Sequence, residues 1–325
     1  MKTLRTALLL LTLLLLASGG AGYLYFRSKF EPGANQLAVT GLPASCTFVW
    51  RADSSAKPVA AHAYQLVPVR LPGCARTCYL QFDTGAPYTV LYQHPLAALR
   101  ARYPATRRAL LLQADSVRNF RFALGDGQVL ARRLPVLRYG ARALPPDSTQ
   151  PFIIGTLGAD VLEGRVLVVD YARQRFSLLP RTPDSLARRA DFVPLAFDSR
   201  RVLLNAGLRS ENSKLLFDTG TSAFALLTSQ SRWQQLAQPA APVQTRAVSS
   251  WGKTLTAYTA PTLARLHLGP AALPLGTVTY IEGTSWWQSA LMRFSGMGGM
   301  LGNEPFAGRT IILDVQGQRF GVVRR

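Results

Sequence analysis

Two patterns of apolar residues divide this chain. Near the N-terminus, Ala7–Ala17 is a long apolar run, and hydrophobic residues resume through Tyr23-Leu24-Tyr25-Phe26. Beyond residue 30 the runs are short, rich in β-branched residues and closed by polar turns, as strands are. Val166–Val169 and Thr310–Leu313 are such runs, followed by the strand-like Phe176–Leu179 and Phe320–Val323. Gln174-Arg175 and Gln318-Arg319 occupy the polar turns between them. Tyr79-Leu80-Gln81-Phe82 and Lys214-Leu215-Leu216-Phe217 read as two more strands, each running into Asp-Thr-Gly. Helical signal is limited to Pro95–Tyr103 and to single turns at Asp160–Glu163 and Glu304–Ala307. The pattern predicts an all-β body behind an N-terminal hydrophobic helix.

That body repeats itself. Shifted by 144 residues, Gly155–Phe176 falls on Gly299–Phe320 without a gap. Gly158/Gly302, Gly164/Gly308, Arg165/Arg309, Asp170/Asp314 and Phe176/Phe320 are among the identities. The same shift lays Phe122-Ala123-Leu124-Gly125 on Leu266-His267-Leu268-Gly269. The two Phe-Asp-Thr-Gly copies lie 135 residues apart, so the second copy has nine more residues between its Asp and the matched block. Two copies of one unit account for this better than chance. The polar, Pro- and Arg-bearing stretch 181–191 divides a first lobe, 61–180, from a second, 192–325. Residues 28–60 read as a linker with the first strands, and residues 1–27 as a targeting segment.

Lys2 and Arg5 precede the apolar run and small residues follow at 18–22, the layout of a secretory signal. The span Ala7–Phe26 is also 20 residues, enough to cross a bilayer. The segment is expected to anchor the chain in a membrane; a signal removed by cleavage is the alternative. Either places the body outside the cytoplasm, in the periplasm or beyond the cell. The formal net charge of +20 raises the question of an anionic partner. The arginines are scattered and no nucleic-acid-binding motif accompanies them, so a dispersed basic surface is the reading, without nucleic acid. Cys74 and Cys78 sit where a turn joins two strands, and in an oxidising compartment their spacing suits a small-loop disulfide. With three His and none at ligand spacing, no metal is expected.

The chemistry lies in the repeated Asp-Thr-Gly. Each Asp would end a strand, with Gly permitting a tight turn. Packed about a pseudo-twofold axis, Asp83 and Asp218 would meet and share a proton, because two adjacent carboxylates do not both ionise readily. One then activates a water as base while the other serves as acid. Thr84 and Thr219 would brace the turns across the axis. Gly296-Met297-Gly298-Gly299 invites a phosphate-loop reading, but the strand–loop–helix order it needs is missing. Asp170 and Asp314 read as turn caps, and Trp286-Trp287 as core.

These residues resemble the pepsin-like and retropepsin-like aspartic proteases. Asp83-Thr84-Gly85-Ala86 is similar to the retroviral site, and Asp218-Thr219-Gly220-Thr221-Ser222 to the C-terminal pepsin site. Leu157-Gly158 and Leu301-Gly302, 75 and 84 residues after their aspartates, match the hydrophobic-Gly element under each catalytic Asp. The resemblance covers roughly residues 60–325. It implies a bilobal fold of two β-barrel-like lobes with the active site between them. It further implies an aspartic endopeptidase, acting as a monomer on peptide or protein substrates without a cofactor. Asp83, Asp218, Thr84, Gly85, Thr219, Gly220, Thr221, Gly158 and Gly302 are the implied site. One departure stands out: Thr221 can offer a hydroxyl to the carboxylate of Asp218, whereas Ala86 offers none to Asp83. That asymmetry predicts Asp218 as the ionised base, Asp83 as its protonated partner, and an optimum less acidic than that of digestive pepsins. No Gly-bearing hairpin with Tyr lies in 100–118 to serve as a flap. Ser250-Trp251-Gly252-Lys253 is the better candidate, with Trp251 closing over substrate. The alternative function is a catalytically silent member of the fold that binds peptides or inhibits another enzyme.

Overall fold

In the computed structural model, residues 31–54, 59–209, 211–250, 253–283 and 297–324 are described. The apolar segment 1–27, Trp251 and Trp286-Trp287 lie outside them. The first-lobe strands are β1 (Leu37–Thr40), β2 (Ala44–Thr47), β3 (Val49–Asp53), β4 (Ala60–Arg70), β5 (Cys78–Asp83), β6 (Val90–Tyr92), β7 (Leu112–Gln113), β8 (Ser116–Leu124), β9 (Gly127–Leu137), β10 (Ile153–Gly158), β11 (Val166–Asp170) and β12 (Arg175–Leu179). The second contributes β13 (Ala190–Asp198), β14 (Arg201–Leu208), β15 (Glu211–Phe217), β16 (Leu226–Leu227), β17 (Gln244–Ser250), β18 (Lys253–Leu268), β19 (Ala271–Glu282), β20 (Met297–Leu301), β21 (Thr310–Asp314) and β22 (Arg319–Val323). The helix expected at Pro95–Tyr103 spans Gln93–Arg102, and the single turns are 3-10 turns at Ala159–Leu162 and Glu304–Phe306.

The protein is mostly β, in two lobes, each holding a barrel-like ring. In the first, strands β9-β6-β10-β5-β4-β8 pair in that order and β8 closes back on β9. In the second, β19-β16-β20-β15-β14-β18 do the same, with β18 closing on β19. The duplicated sequence therefore folds twice into one topology. A platform of β13-β22-β21-β11-β12-β2 extends from the second ring and takes strands from both halves.

The pseudo-twofold axis is visible in the platform's register. Antiparallel β11 and β21 place Val168 opposite Ile312, and pairs on either side are exchanged: Val166 faces Asp314 while Asp170 faces Thr310. The bonds at the strand ends repeat the exchange, Tyr171 N–H to Arg309 O at 2.9 Å and Val315 N–H to Arg165 O at 3.2 Å. Residues 144 apart thus meet across one axis. Aromatic packing obeys the same symmetry. Phe82 meets Phe176 edge-on at 5.2 Å, and Phe217 meets Phe320 at 5.6 Å, all four fully buried. Each such ring withdraws enough apolar area to contribute about 1.5–3 kcal/mol, and each lies directly before, or across from, an Asp-Thr-Gly.

Met297-Gly298-Gly299 are part of strand β20 rather than a loop ahead of a helix, in keeping with the rejection of a phosphate loop. Asp170 and Asp314 accept backbone N–H groups from Arg173 and Gly317, so both cap turns. The β8–β9 and β18–β19 turns use Gly125 and Gly269 at matching φ of 57° and 58°. Their surroundings differ. A methyl group on Gly125 would overlap the Ser45 backbone, whereas on Gly269 it would lie 3.3 Å from a Val193 methyl. Both Gly→Ala changes incur the left-handed penalty of roughly 1–2 kcal/mol. Gly125→Ala should lower Tm clearly more than Gly269→Ala, because only the first must also displace backbone; equal losses in thermal denaturation would contradict that packing.

Candidate active site

Strands β5 and β15 carry the two aspartates to the junction of the lobes. Parallel pairing of β5 with β10 sets Asp83 opposite Gly158, and β15 with β20 sets Phe217 opposite Leu301. Asp218 N–H then bonds Leu301 O at 2.9 Å. Gly158 and Gly302 lie where the chain after each Asp folds back. A Cβ on Gly158 would meet the Tyr88 backbone and lie 2.9 Å from Ala86 O; on Gly302 it would meet Phe224 O and lie 2.8 Å from Thr221 O. Only glycine admits such an approach of two backbones. The expected residues Asp83, Thr84, Gly85, Gly158, Asp218, Thr219, Gly220, Thr221 and Gly302 are all gathered here.

The threonines cross the axis. Thr84 Oγ1 donates to Phe217 O at 2.7 Å and accepts Thr219 N–H at 3.0 Å. Thr219 Oγ1 donates to Phe82 O at 3.1 Å and accepts Thr84 N–H at 3.0 Å. Both side chains are buried, so each hydroxyl and each amide finds its partner only in the opposite lobe. These four bonds fix the carboxyl groups above them.

Each carboxyl rests against the other lobe's glycine. A Cβ on Gly85 would lie 2.6 Å from the Asp218 carboxyl atoms, and on Gly220 within 2.5–2.7 Å of those of Asp83. Asp83 Oδ1 accepts N–H groups from Gly85 at 2.9 Å and Ala86 at 3.2 Å; Asp218 Oδ1 accepts Gly220 N–H at 2.8 Å. Burial raises the pKa of Asp83, against which a hydrogen bond from Asp218 and those backbone N–H groups act. Burial also raises Asp218, well above the ordinary carboxylate range, and the charge of Asp83 adds to the rise. Both carboxyls are therefore held above the ordinary carboxylate range, Asp218 the more strongly, and the pair titrates as a unit. The hydroxyl contrast expected from sequence is not formed: the Thr221 hydroxyl donates to the backbone carbonyl of Asp218 at 2.9 Å, not to the carboxylate.

Sequence reasoning missed the bracing around the glycine loops. In lobe one a buried carboxylate, Asp160, accepts Thr89 N–H at 2.8 Å and Thr89 Oγ1–H at 2.7 Å, while Thr89 Oγ1 accepts Gly158 N–H at 3.1 Å. Lobe two uses other groups: Asn303 Nδ2 donates to Ser222 Oγ at 2.5 Å, and Tyr171 OH to Asn303 Oδ1 at 2.6 Å. Asp160 follows Gly158 by two residues, but nothing in the repeat marks it, since Glu304 replaces it in the other copy.

The lobes also differ in the hairpins beside the carboxyls. The β7–β8 hairpin is short, pairing Leu112 with Val117 and Gln113 with Ser116, whereas β17 and β18 pair from Gln244–Thr259 to Ser250–Lys253. Ser250 and Lys253 of the expected flap candidate form the last pair of the long second-lobe hairpin, and Trp251 lies outside the described residues. Cys74 lies in the β4–β5 connection and Cys78 opens β5, both as free thiols rather than the expected disulfide. Both sulfurs turn to the Arg76 carbonyl, at 3.3 and 3.8 Å, and to each other, which draws the Cys74 pKa down to about 7. Among the described residues no three His, Cys, Asp or Glu side chains converge as a metal site.

A buried acid with a raised pKa stabilises the fold while protonated and loses that contribution as pH rises through its folded pKa. Asp218→Asn keeps an acceptor for Gly220 N–H without the charge. It should therefore raise Tm near pH 7, by about 2–4 °C per kcal/mol relieved, and leave it unchanged near pH 3, where wild-type Asp218 is already neutral. A variant less stable at both pH values would show that burial does not govern Asp218. No protein-family model matches the chain, and no curated protein matches it.

Proposed function

We propose that this chain is an aspartic-type endopeptidase related to the pepsin-like and retropepsin-like enzymes, hydrolysing peptide bonds outside the cytoplasm. The observation that carries the proposal is the pair of carboxyls, Asp83 and Asp218, each held against the opposite lobe's glycine by crossed threonine bonds. In the proposed reaction a water lies between them. Ionised Asp83 takes a proton from the water as its oxygen adds to the peptide carbonyl carbon, while protonated Asp218 donates to the carbonyl oxygen. The resulting diol collapses as Asp83 returns its proton to the departing nitrogen and Asp218 regains one from a hydroxyl. Water is consumed, one C–N bond breaks, and no covalent enzyme intermediate forms. A monomer without cofactor suffices. The N-terminal apolar segment attaches the enzyme to a membrane or directs its export.

A second reading, a silent peptide-binding or inhibitory protein, draws support from the β7–β8 hairpin, which is short beside its second-lobe counterpart β17–β18. One experiment separates the two. Full-length protein in mild detergent is incubated with a mixed peptide library from about pH 3 to pH 7, beside Asp83→Asn and Asp218→Asn, with and without pepstatin. The expected outcome is a bell-shaped pH–rate profile peaking above about pH 3, because both carboxyl pKa values are raised. Each substitution should reduce the rate by roughly 10²–10⁴, the scale of general acid–base catalysis. Cleavage surviving both substitutions would sink the mechanism; peptide binding without cleavage would favour the second reading.

A further inference from the structure

A cavity of about 820 Å³ in the first lobe reaches Gln81 and Tyr92; a second, of 380 Å³, is lined from both lobes, by Trp50 and His62 as well as Ser222 and Ala223. The floor of the larger cavity is polar. Gln81 stands two residues before Asp83 on the same face of β5, and Tyr92, which also lines the cavity, is near enough to Asp83 to feel its charge. Tyr64 of β4 completes that floor. A side chain next to the bond being cut, on the Asp83 side, would enter here.

The rim is cationic. Arg51 comes from the β3–β4 hairpin, and Arg138 and Arg142 from the segment joining β9 to β10. Among the described residues, none of the three forms an ion pair with a carboxylate. Among the described residues one carboxylate lines the cavity, Asp53, two residues from Arg51 on β3; its charge reaches Tyr64, as that of Arg51 does, and Arg246. The segment bearing Arg138 and Arg142 is held by a buried guanidinium. Arg76 donates to Pro145 O at 3.1 Å, Asp147 O at 2.9 Å and Gln150 O at 2.8 Å. Four carbonyl- or ring-bearing neighbours around one cation make a firm support, since Arg76 also lies 5.9 Å from the Phe152 ring centroid.

We infer that this cavity selects peptides bearing an aspartate or glutamate beside the scissile bond, on the Asp83 side, through Arg51, Arg138 and Arg142. The inference rests on the endopeptidase reading for the word scissile, but the selection is a binding property that can be measured without turnover. Guanidinium groups at the edge without a carboxylate partner favour an incoming carboxylate and disfavour an ammonium. Arg suits the task better than Lys because its planar fork matches a carboxylate.

The test uses full-length Asp218→Asn in mild detergent, which keeps the Asp83 cavity intact, and fluorescent twelve-residue peptides identical except for Glu, Gln or Lys at one central position. Anisotropy should show the Glu peptide binding about tenfold tighter than Gln, the scale of one effective ion pair, and Lys weakest, with the gap narrowing as salt rises. Arg138→Glu/Arg142→Glu should cancel or invert that order while leaving Gln binding within about twofold. Equal affinities for Glu and Gln, or an order unchanged by the double reversal, would overturn the inference. Selective binding by this variant together with no cleavage by the wild-type protein would overturn the endopeptidase reading and leave the acidic selection standing.

Discussion

Everything at the junction of the lobes depends on two hydroxyls that reach across an axis. Thr84 and Thr219 are buried where no water can replace their partners, and each satisfies a carbonyl and an amide belonging to the other half. An orphaned buried amide or hydroxyl costs about 1–3 kcal/mol, so four such bonds made together hold the two turns in one arrangement. The carboxyls ride on those turns. Their separation is set by backbone, not by flexible side chains, and that rigidity makes a shared proton possible.

The platform below supplies the same constraint over a longer reach. Val168 opposite Ile312 puts the symmetry axis through a strand pair, and the Phe82–Phe176 and Phe217–Phe320 contacts transmit that alignment up to each Asp. A duplicated sequence folding against itself yields this geometry at little cost in specificity, since one register satisfies both copies at once.

Symmetry ends where the chemistry begins. Two identical carboxyls at one axis would share a proton evenly. Here Asp218 is the more deeply buried and Asp83 accepts two local N–H groups, so their pKa values are pushed up unequally. The walls diverge as well: a long hairpin on one lobe, a short one on the other, and a cation-rimmed cavity in the first lobe. The common scaffold fixes the carboxyl pair, and the walls around it are unequal.

The all-β character, the duplication and the gathered set of Asp, Thr and Gly residues were determined by sequence alone. They are local or repetitive signals: strand-length apolar runs, turn glycines, and a spacing that recurs 144 residues on. Tertiary structure decided what depends on contacts between distant residues. Burial raised both carboxyls, Asp218 the more strongly, and the hydroxyl expected on the Asp218 carboxylate went to a backbone carbonyl, because a hydroxyl's neighbour in sequence need not be its hydrogen-bond partner, as Thr221 shows. Asp160 became visible only through Thr89, 71 residues away. Arg138 and Arg142 looked like two members of a scattered basic surface until the fold set them on the rim of the first-lobe cavity. Sequence carries periodicity and residue chemistry; depth from solvent and the partner across a cleft exist only once the chain has closed on itself.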